Sequence, residues 1–200
     1  YSIIFIVMIR FWFFAAFGIF LAQRHGGLRK VAQTKHLKLQ IGRGVMISLE
    51  ICVTVAAFTI LGLTETHAIF VSYPLMIVAL SGPLLGEKIG WLRWSAVLVG
   101  FIGVLIIIQP DGGVFSPWVI VPIAGAAMFA IYAVMTRYVS RDDDSTTSFL
   151  YTGCVGAIVM TAIGVFFLEP IAVADLGWLL LLCVMGIIGH FLLIKTYEVA

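Results

Sequence analysis

The sequence predicts an all-α fold, a polytopic bundle of about seven membrane-spanning helices. Of its 200 residues, 62% are apolar and only 11% are charged, and the mean hydropathy is +1.14. A soluble domain carries roughly 25% charged and 45–50% apolar residues. A core of this size cannot bury so much apolar surface, so lipid must solvate much of the chain. The apolar residues are also grouped in segments close to the ~20 residues that cross a ~30 Å hydrocarbon layer.

Seven segments have this length and composition, and short polar connections separate most of them. The third and fourth segments have 18 residues each, and turn or charged residues bound them on both sides. The connection at 23–40 is longer and strongly basic, whereas the others, such as Thr64–His67, are brief. The predicted spans are Tyr1–Ala22, Ile41–Leu63, Ala68–Leu85, Trp91–Ile108, Trp118–Tyr138, Thr147–Leu168 and Leu176–Ala200.

The basic residues predict the orientation of these spans. When the connections are assigned alternately to two sides, one side holds ten of the twelve Lys and Arg residues and the other holds none. Cytoplasmic loops are enriched in Lys and Arg, so the loop at 23–40 is predicted to be cytoplasmic. The first span then runs inward and the sixth runs outward. Acidic residues contribute little to this rule, and we expect Asp142–Asp144 to form a solvated loop. The basic set is Arg24, Arg29, Lys30, Lys35, Lys38, Arg43, Lys88, Arg93, Arg137 and Arg141.

Three stretches resemble the EamA family of the drug/metabolite transporter superfamily. The most specific is 68–110, AIFVSYPLMIVALSGPLLGEKIGWLRWSAVLVGFIGVLIIIQP, with a Pro-bearing helix, a Gly86-Glu87 turn, a Trp and a Gly-containing helix that ends in Gln-Pro. The segment FIVMIRFWFF is similar to the family's second helix, with Arg10 at the family's Arg position. The opening of the second repeat resembles GAAMFAIYAVMTRYVSRDDDSTTSFLYTG.

The resemblance implies a ten-helix transporter built from two five-helix repeats of inverted topology. This chain would hold helices two to eight, with residues 1–110 in an N-terminally incomplete first repeat and 118–200 in a C-terminally incomplete second repeat. The chain begins at Tyr1, without a Met or a basic leader, so we expect the natural N-terminus to lie upstream and no signal peptide here. Substrate sites of such transporters lie near the midplane between the halves. In the Gly86-Glu87 turn, we expect Glu87 to cap a helix N-terminus rather than to bind substrate.

Three ionisable residues lie far from the predicted interfaces and are the first candidates for a substrate site. At ~1.5 Å per residue, Arg10 lies ~14 Å deep and Glu50 lies ~13 Å from the inner face. His190 is also in the inner half of the bilayer. Such residues usually face a cavity or each other. Arg10 would contact an anion or carboxylate, Glu50 would hold a cation or a coupling proton, and His190 would be a polar contact. The alternatives are a structural salt bridge between Arg10 and Glu50, an Arg10 that reaches outward along its stem, and an interhelical hydrogen bond at His190.

Aromatic residues supply the remaining candidates. Trp12 and Tyr132, together with Tyr151, are placed to line a pocket, although most aromatic residues of membrane proteins contact lipid or form interfacial belts. Three cysteines, Cys52, Cys154 and Cys183, lie inside apolar runs with spacings that match no disulfide framework or zinc site. No cofactor and no metal are expected.

The sequence argues against an enzyme. All five Asp residues lie in loops or at helix edges, and H-E-x-x-H, G-x-S-x-G and Walker A patterns are absent from the sequence. We therefore predict a secondary transporter of a small polar metabolite or drug-like solute in the bacterial inner membrane. A channel-like facilitator or a non-catalytic membrane scaffold is the alternative. The expected partners are the lipid bilayer, the solute and a coupling proton or cation, with no nucleic acid; a homodimer is left open.

Overall fold

The computed structural model of the chain describes residues 1–86, 90–108 and 117–199. Within these residues, nine α-helices follow one another and no strand occurs. Short 3-10 turns precede α7, follow α8 and precede α9. The helices are α1 Ile3–Arg24, α2 Leu28–Val31, α3 Leu37–Leu61, α4 Leu63–Phe70, α5 Tyr73–Leu85, α6 Trp91–Ile108, α7 Ile120–Val139, α8 Ser145–Gly164 and α9 Leu176–Val199.

Six helical segments of the described part are long and apolar enough to cross a membrane, and α4 and α5 together count as one of them. Helix α6 occupies the remaining predicted span. The chain is therefore a polytopic helical membrane protein, and the predicted fold class is confirmed. The six segments are Ile3–Arg24, Leu37–Leu61, Leu63–Leu85, Pro117–Val139, Ser145–Phe167 and Val173–Val199.

One predicted connection is wrong. Thr64–His67 was expected to be a loop, but these residues lie inside α4. Gly62 alone separates α3 from α4, with a φ of +85°. Because a residue without a Cβ adopts this positive φ at no steric cost, a single residue is enough to separate the two helices. The third membrane segment therefore begins at Leu63 rather than at Ala68, and its interruption lies farther on, at Val71 and Ser72.

Gly86 ends α5 in the left-handed conformation, with a φ of +70°. Helices commonly end on a glycine of this kind. The next residue, Glu87, lies outside the described residues, so its predicted role as a helix cap stays a prediction. Most of the connection at 109–117, from 109 to 116, also lies outside them, as does Ala200.

The chain divides into two compact units. The first comprises residues 1–48 and 135–200, and the second comprises residues 49–134. Helices α3 and α7 each contribute one part to each unit. The boundaries of these units differ from those of the predicted repeats at 1–110 and 118–200. The repeats were defined by consecutive residues in the chain, whereas the units are defined by contacts, so the repeats stay a prediction.

In the first unit, glycines bring α1 and α8 into close contact. A Cβ atom added at Gly153 would lie 2.7 Å from the backbone carbon of Phe14, and one added at Gly164 would lie 2.7 Å from the sulfur of Met8. The contact positions retreat along α1 as they advance along α8, so the two helices are antiparallel. This is the relation that the predicted topology assigns to the first and sixth spans.

Helix α9 runs parallel to α1. Near the start of both helices, the Tyr1 hydroxyl donates a hydrogen bond to Asp175 Oδ2 at 2.6 Å. Near their ends, the rings of Phe17 and Phe191 lie 6.3 Å apart. The first and last spans therefore point the same way, in agreement with the predicted topology.

In the second unit, α4, α5, α6 and part of α7 surround an apolar cavity of about 300 Å³. A Cβ atom added at Gly100 of α6 would lie 2.8 Å from a methyl carbon of Leu75, so this glycine permits close packing on α5. The ring of Phe129 on α7 lies 4.8 Å from Tyr73 and 5.7 Å from Phe70. Aromatic edges therefore connect α7 with both α4 and α5.

Candidate functional site

Arg10 lies between α1 and α9 in the first unit. Its Nη2 atom would be 3.2 Å from a Cβ atom added at Gly186, so the guanidinium occupies space that any other residue at 186 would fill. Its Cζ atom lies 5.9 Å from the ring centroid of Phe14, one turn along α1. This is within the range of a cation–π contact. The predicted intramembrane cation is thus half-buried and faces a neighbouring helix.

His190 belongs to the same cluster. It lies one turn beyond Gly186 on α9, and its ring is 5.5 Å from Phe14 and 6.3 Å from Phe149 of α8. The sequence predicted Arg10 and His190 as separate contacts at a similar depth, and the structure brings them onto one aromatic wall.

An apolar cavity of about 250 Å³ lies next to this cluster, between the first halves of α1 and α9. Ile6 and Leu182 line it, and each precedes a cluster residue, Arg10 or Gly186, by four positions on its helix. Residues four apart on a helix share a face. The cavity and the Arg10 cluster therefore follow one another along the same cleft, which Asp175 and Tyr1 border at its other end.

Trp12 lies on a different face of α1. Its indole nitrogen donates a hydrogen bond to Thr161 Oγ1 of α8 at 2.8 Å, and 48% of its surface is exposed. Two residues beyond Arg10 on a helix means a rotation of about 200°. Trp12 is therefore not part of the Arg10 cluster, and its role in binding stays a prediction.

Glu50 and Tyr132 lie in the second unit. Glu50 is buried and accepts a hydrogen bond from the Thr54 hydroxyl, one turn along α3, at 2.6 Å. The same hydroxyl would be 2.7 Å from a Cβ atom added at Gly125 of α7. Tyr132, two turns farther along α7, is fully buried and contacts the ring of Phe129 at 6.1 Å. Because Arg10 belongs to the first unit, the predicted pairing of Arg10 with Glu50 stays a prediction.

A buried polar network that the sequence did not predict joins the start of α3 to the end of α7 and the start of α8 in the first unit. Arg43, counted above as a loop-side cation, is fully buried. It donates a hydrogen bond from Nε to Thr136 Oγ1 at 3.0 Å and another to Gln40. The Gln40 amide in turn donates to Asp143 Oδ2 at 2.7 Å and to Ser148 Oγ at 3.3 Å. The only sequence signal was one Arg just inside a predicted span.

The acidic run at 142–144 is only in part the solvated loop that we expected. Asp142 and Asp144 are exposed, but Asp143 is buried and accepts a second hydrogen bond from the Thr34 hydroxyl at 2.5 Å. Asp144 caps the N-terminus of α8 by accepting from Thr147 N at 2.7 Å. Asp143 is covered because the segment at 31–40 packs over it.

Asp142 forms the more exposed part of the contact between the segment at 31–40 and the acidic run. It accepts from Lys35 Nζ at 3.0 Å and pairs with His36 Nε2 at 2.8 Å. The hydrogen bond from His36, followed by that from Lys35, holds the pKa of this carboxyl below its ordinary value. Farther along α8, Thr147 Oγ1 and the Tyr151 hydroxyl donate to the backbone carbonyls of residues 31 and 32, at 2.9 and 2.7 Å. We call these contacts between residues 31–40 and 142–151 the polar clasp.

Several curated proteins are similar to this chain. A riboflavin transporter of Vibrio cholerae is 31% identical over 138 residues, which is 66% of this chain and 45% of that protein. An S-adenosylmethionine uptake transporter of Rickettsia bellii is 25% identical over 171 residues, which is 85% of this chain and 58% of that protein. A chloroplastic WAT1-related protein of Arabidopsis thaliana is 32% identical over 122 residues, which is 55% of this chain and 29% of that protein.

The chain spans about half the length of the curated relatives it matches. No family model matches it, and no solved structure matches it. The first two relatives are named as transporters rather than as enzymes, in agreement with the class of function that the sequence predicts.

Proposed function

We propose that this chain is part of a secondary transporter of the EamA family, which moves a small polar metabolite or drug-like solute across the bacterial inner membrane by alternating access. The names of its relatives support a transport function. The family motifs at 5–14, 68–110 and 125–153 support the family assignment. The fold supports both, because the chain is built of membrane-length apolar helices.

The proposed architecture consists of two inverted repeats, at 1–110 and 118–200. Its support is the antiparallel packing of α1 on α8, since these helices are the second member of each repeat on the family plan. The loop at 23–40 is cytoplasmic in this arrangement, as its basic residues indicate. A structure of the complete protein should superpose the two repeats by a two-fold rotation about an axis in the membrane plane. An axis along the membrane normal would contradict this plan.

The observation that carries the proposed substrate site is the position of Arg10. A guanidinium placed within a membrane helix is costly unless it faces a cavity or a partner, and Arg10 borders a cleft between α1 and α9. Gly186 leaves room for it there, while Phe14 and His190 provide an aromatic surface beside it. We assign Arg10 to the anionic or carboxylate group of the solute and His190 to a polar contact.

Glu50 is the proposed site of the coupling proton or cation. It is a buried carboxylate within a membrane helix that accepts a hydrogen bond from the Thr54 hydroxyl, and intramembrane carboxylates commonly bind protons or cations. Tyr132 and Trp12 remain proposed wall residues of the solute path.

The test is uptake into vesicles by the full-length protein, with riboflavin and S-adenosylmethionine as the first solutes because the relatives are named for them. We expect Arg10→Leu to abolish uptake while the thermal midpoint in detergent changes little. The matched control is Arg24→Leu on the same helix. Arg24 is exposed and lies over the Phe20 ring, so its loss should leave uptake intact.

The double variant Arg10→Leu with Glu50→Leu separates function from a structural ion pair. If the two side chains only form a salt bridge, each single change should destabilise the fold by about 3–5 kcal/mol, and the double change should restore stability and uptake together. If both are functional, the double variant stays folded and inactive. A stable double variant with normal uptake would refute the site.

Counterflow distinguishes a transporter from a channel-like facilitator. Unlabelled solute inside the vesicles should accelerate entry of labelled solute, because alternating access returns a loaded carrier faster than an empty one when the empty step limits the cycle. A facilitator with a continuous path would show no such acceleration.

A further inference from the structure

The polar clasp joins two stretches that lie far apart in the chain. On the proposed plan, residues 31–40 belong to the first repeat and residues 142–151 to the second, and both lie on the side predicted to be cytoplasmic. Among the described residues of the first unit, seven side-chain hydrogen bonds of the clasp join the two stretches on this side. The side chains that form them are Thr34, Lys35, His36, Gln40, Asp142, Asp143, Thr147, Ser148 and Tyr151.

We propose that the polar clasp is the cytoplasmic gate of the transporter, and that it must open for solute to pass. This inference rests on the proposed function, because a gate has meaning only in a protein that moves a solute. It assigns a specific task to residues that lie outside the Arg10 cluster.

The chemistry of the clasp suits a contact that opens. Its outer part consists of ion pairs in contact with solvent: the Lys35 side chain is 77% exposed, and that of Asp142 is 35% exposed. Exposed ion pairs contribute little net stability because water competes for both partners. The contact between α1 and α8 in the same unit is mostly of another kind, since these helices meet closely at Gly153, Gly156 and Gly164.

Water can reach the clasp from one side already. A polar cavity of about 520 Å³ lies beside it, lined among others by His25, Lys30, Gln33 and the three aspartates 142–144. When the clasp parts, its donors and acceptors can be hydrated from this cavity, so opening does not strand them in an apolar environment.

The clasp is also connected to the interior. Gln40 bonds both to Asp143 in the clasp and to the buried Arg43, and Arg43 bonds to Thr136 on α7. A displacement of the segment at 31–40 therefore changes the hydrogen bonds of Gln40 and, through Gln40, those of Arg43, so the clasp is connected to the buried polar network of the first unit.

A reversible cross-link provides the test, in the full-length protein with Cys52, Cys154 and Cys183 replaced by Ala. The pair Thr34→Cys and Asp143→Cys, whose native side chains are in hydrogen-bond contact, is bridged with a short bis-methanethiosulfonate. If the clasp is a gate, bridging should abolish uptake of the transported solute and reduction should restore it. If the clasp is a permanent anchor, bridging changes nothing, and uptake by fully bridged protein would overturn the proposal.

The matched control places both cysteines on one turn of α9, Leu192→Cys with Thr196→Cys. The same reagent then modifies the protein without joining the two stretches, and uptake should persist. The extent of bridging is read from the mass of the intact protein. If the cysteine-free parent, which keeps Thr34 and Asp143, takes up none of the solutes tested, the proposed function fails independently of the gate.

A second measurement needs no transport. Thr152, one turn below Ser148 on α8, is fully buried, and a cysteine there reports opening by its rate of labelling with a membrane-impermeant maleimide. Asp142→Asn should accelerate this labelling, because it removes the charge that holds Lys35 and His36. Asp144→Asn removes the same charge next to the clasp but keeps a good helix cap, and should not. Equal rates in the two variants would show that the clasp does not open.

Discussion

The close approach of Gly153 to the backbone of α1 makes Gly153→Ala a stringent test of the fold. Gly153 lies on α8 at the point where this helix crosses α1. An added Cβ atom would meet three backbone atoms of α1: the Phe14 carbonyl carbon at 2.7 Å, and the Phe14 oxygen and the Ala15 nitrogen at 2.8 Å. Backbone inside a helix cannot rotate away as a side chain can, so the two helices must move apart.

The expected cost follows from this distance. A contact at 2.7 Å is about 0.7 Å short of the 3.4 Å at which ordinary van der Waals contact begins. Overpacking of this kind typically costs about 1–3 kcal/mol. Alanine also favours a helix over glycine by up to about 1 kcal/mol, which partly hides the cost. The control variants Gly189→Ala and Gly103→Ala have the same gain without the clash, because no atom lies within 4 Å of their added Cβ atoms.

The assay is the thermal midpoint of the purified protein in one detergent, compared among the three variants. A difference of 1–3 kcal/mol corresponds to a midpoint that is lower by roughly 2–12 °C in Gly153→Ala than in the controls. A Gly153→Ala protein as stable as both controls would refute the close packing of α1 on α8. It would also remove the structural support for pairing these helices as repeat counterparts.

Two further predictions concern the loops. Single cysteines at Gly27 and Gly112, in a background without native cysteines, should react with an impermeant maleimide from opposite sides of the membrane; labelling of both from one side would refute the assignment of spans. Because the folded-state pKa of Asp142 is lowered by His36, its contribution to stability is present at neutral pH and is lost as the pH falls below about 4. The thermal midpoint should therefore fall more steeply as the pH is lowered below about 4 in the parent than in Asp142→Asn, and parallel profiles would contradict this.

Much of the fold can be predicted from the sequence because lipid imposes a simple rule. A helix that crosses hydrocarbon must be apolar along its length, so spans are visible as runs of letters, and the alternation of basic loops gives their directions. The antiparallel α1 and α8 and the parallel α1 and α9 agree with directions read in this way. This rule did not predict the helix boundary at Gly62, because the rule describes the length of a span and not the single residue that can separate two helices.

The site is less visible because its contacts join distant residues. Arg10 was recognisable in the sequence as a charged residue far inside a predicted membrane span. The sequence does not show, however, that Gly186 leaves space for its guanidinium. Asp143 was misread for a similar reason: an acidic run between two spans is ordinarily solvated, and its partner Thr34 is 109 positions away in the chain. Pairings at such separations follow from helix packing, which composition and periodicity do not encode.

The long separation within the buried network has a consequence for biogenesis. Gln40 is synthesised before its hydrogen-bond partner Asp143, which is 103 residues later in the chain. At about 5–20 residues per second, synthesis of this interval takes roughly 5–20 s. During that time the first turns of α3 carry an arginine and an amide that lack their final partners, so this end of the helix is best held at the polar headgroups. The segment would then be drawn to its final depth when α8 arrives, and a ribosome stalled before residue 143 would leave α3 in a shallower position.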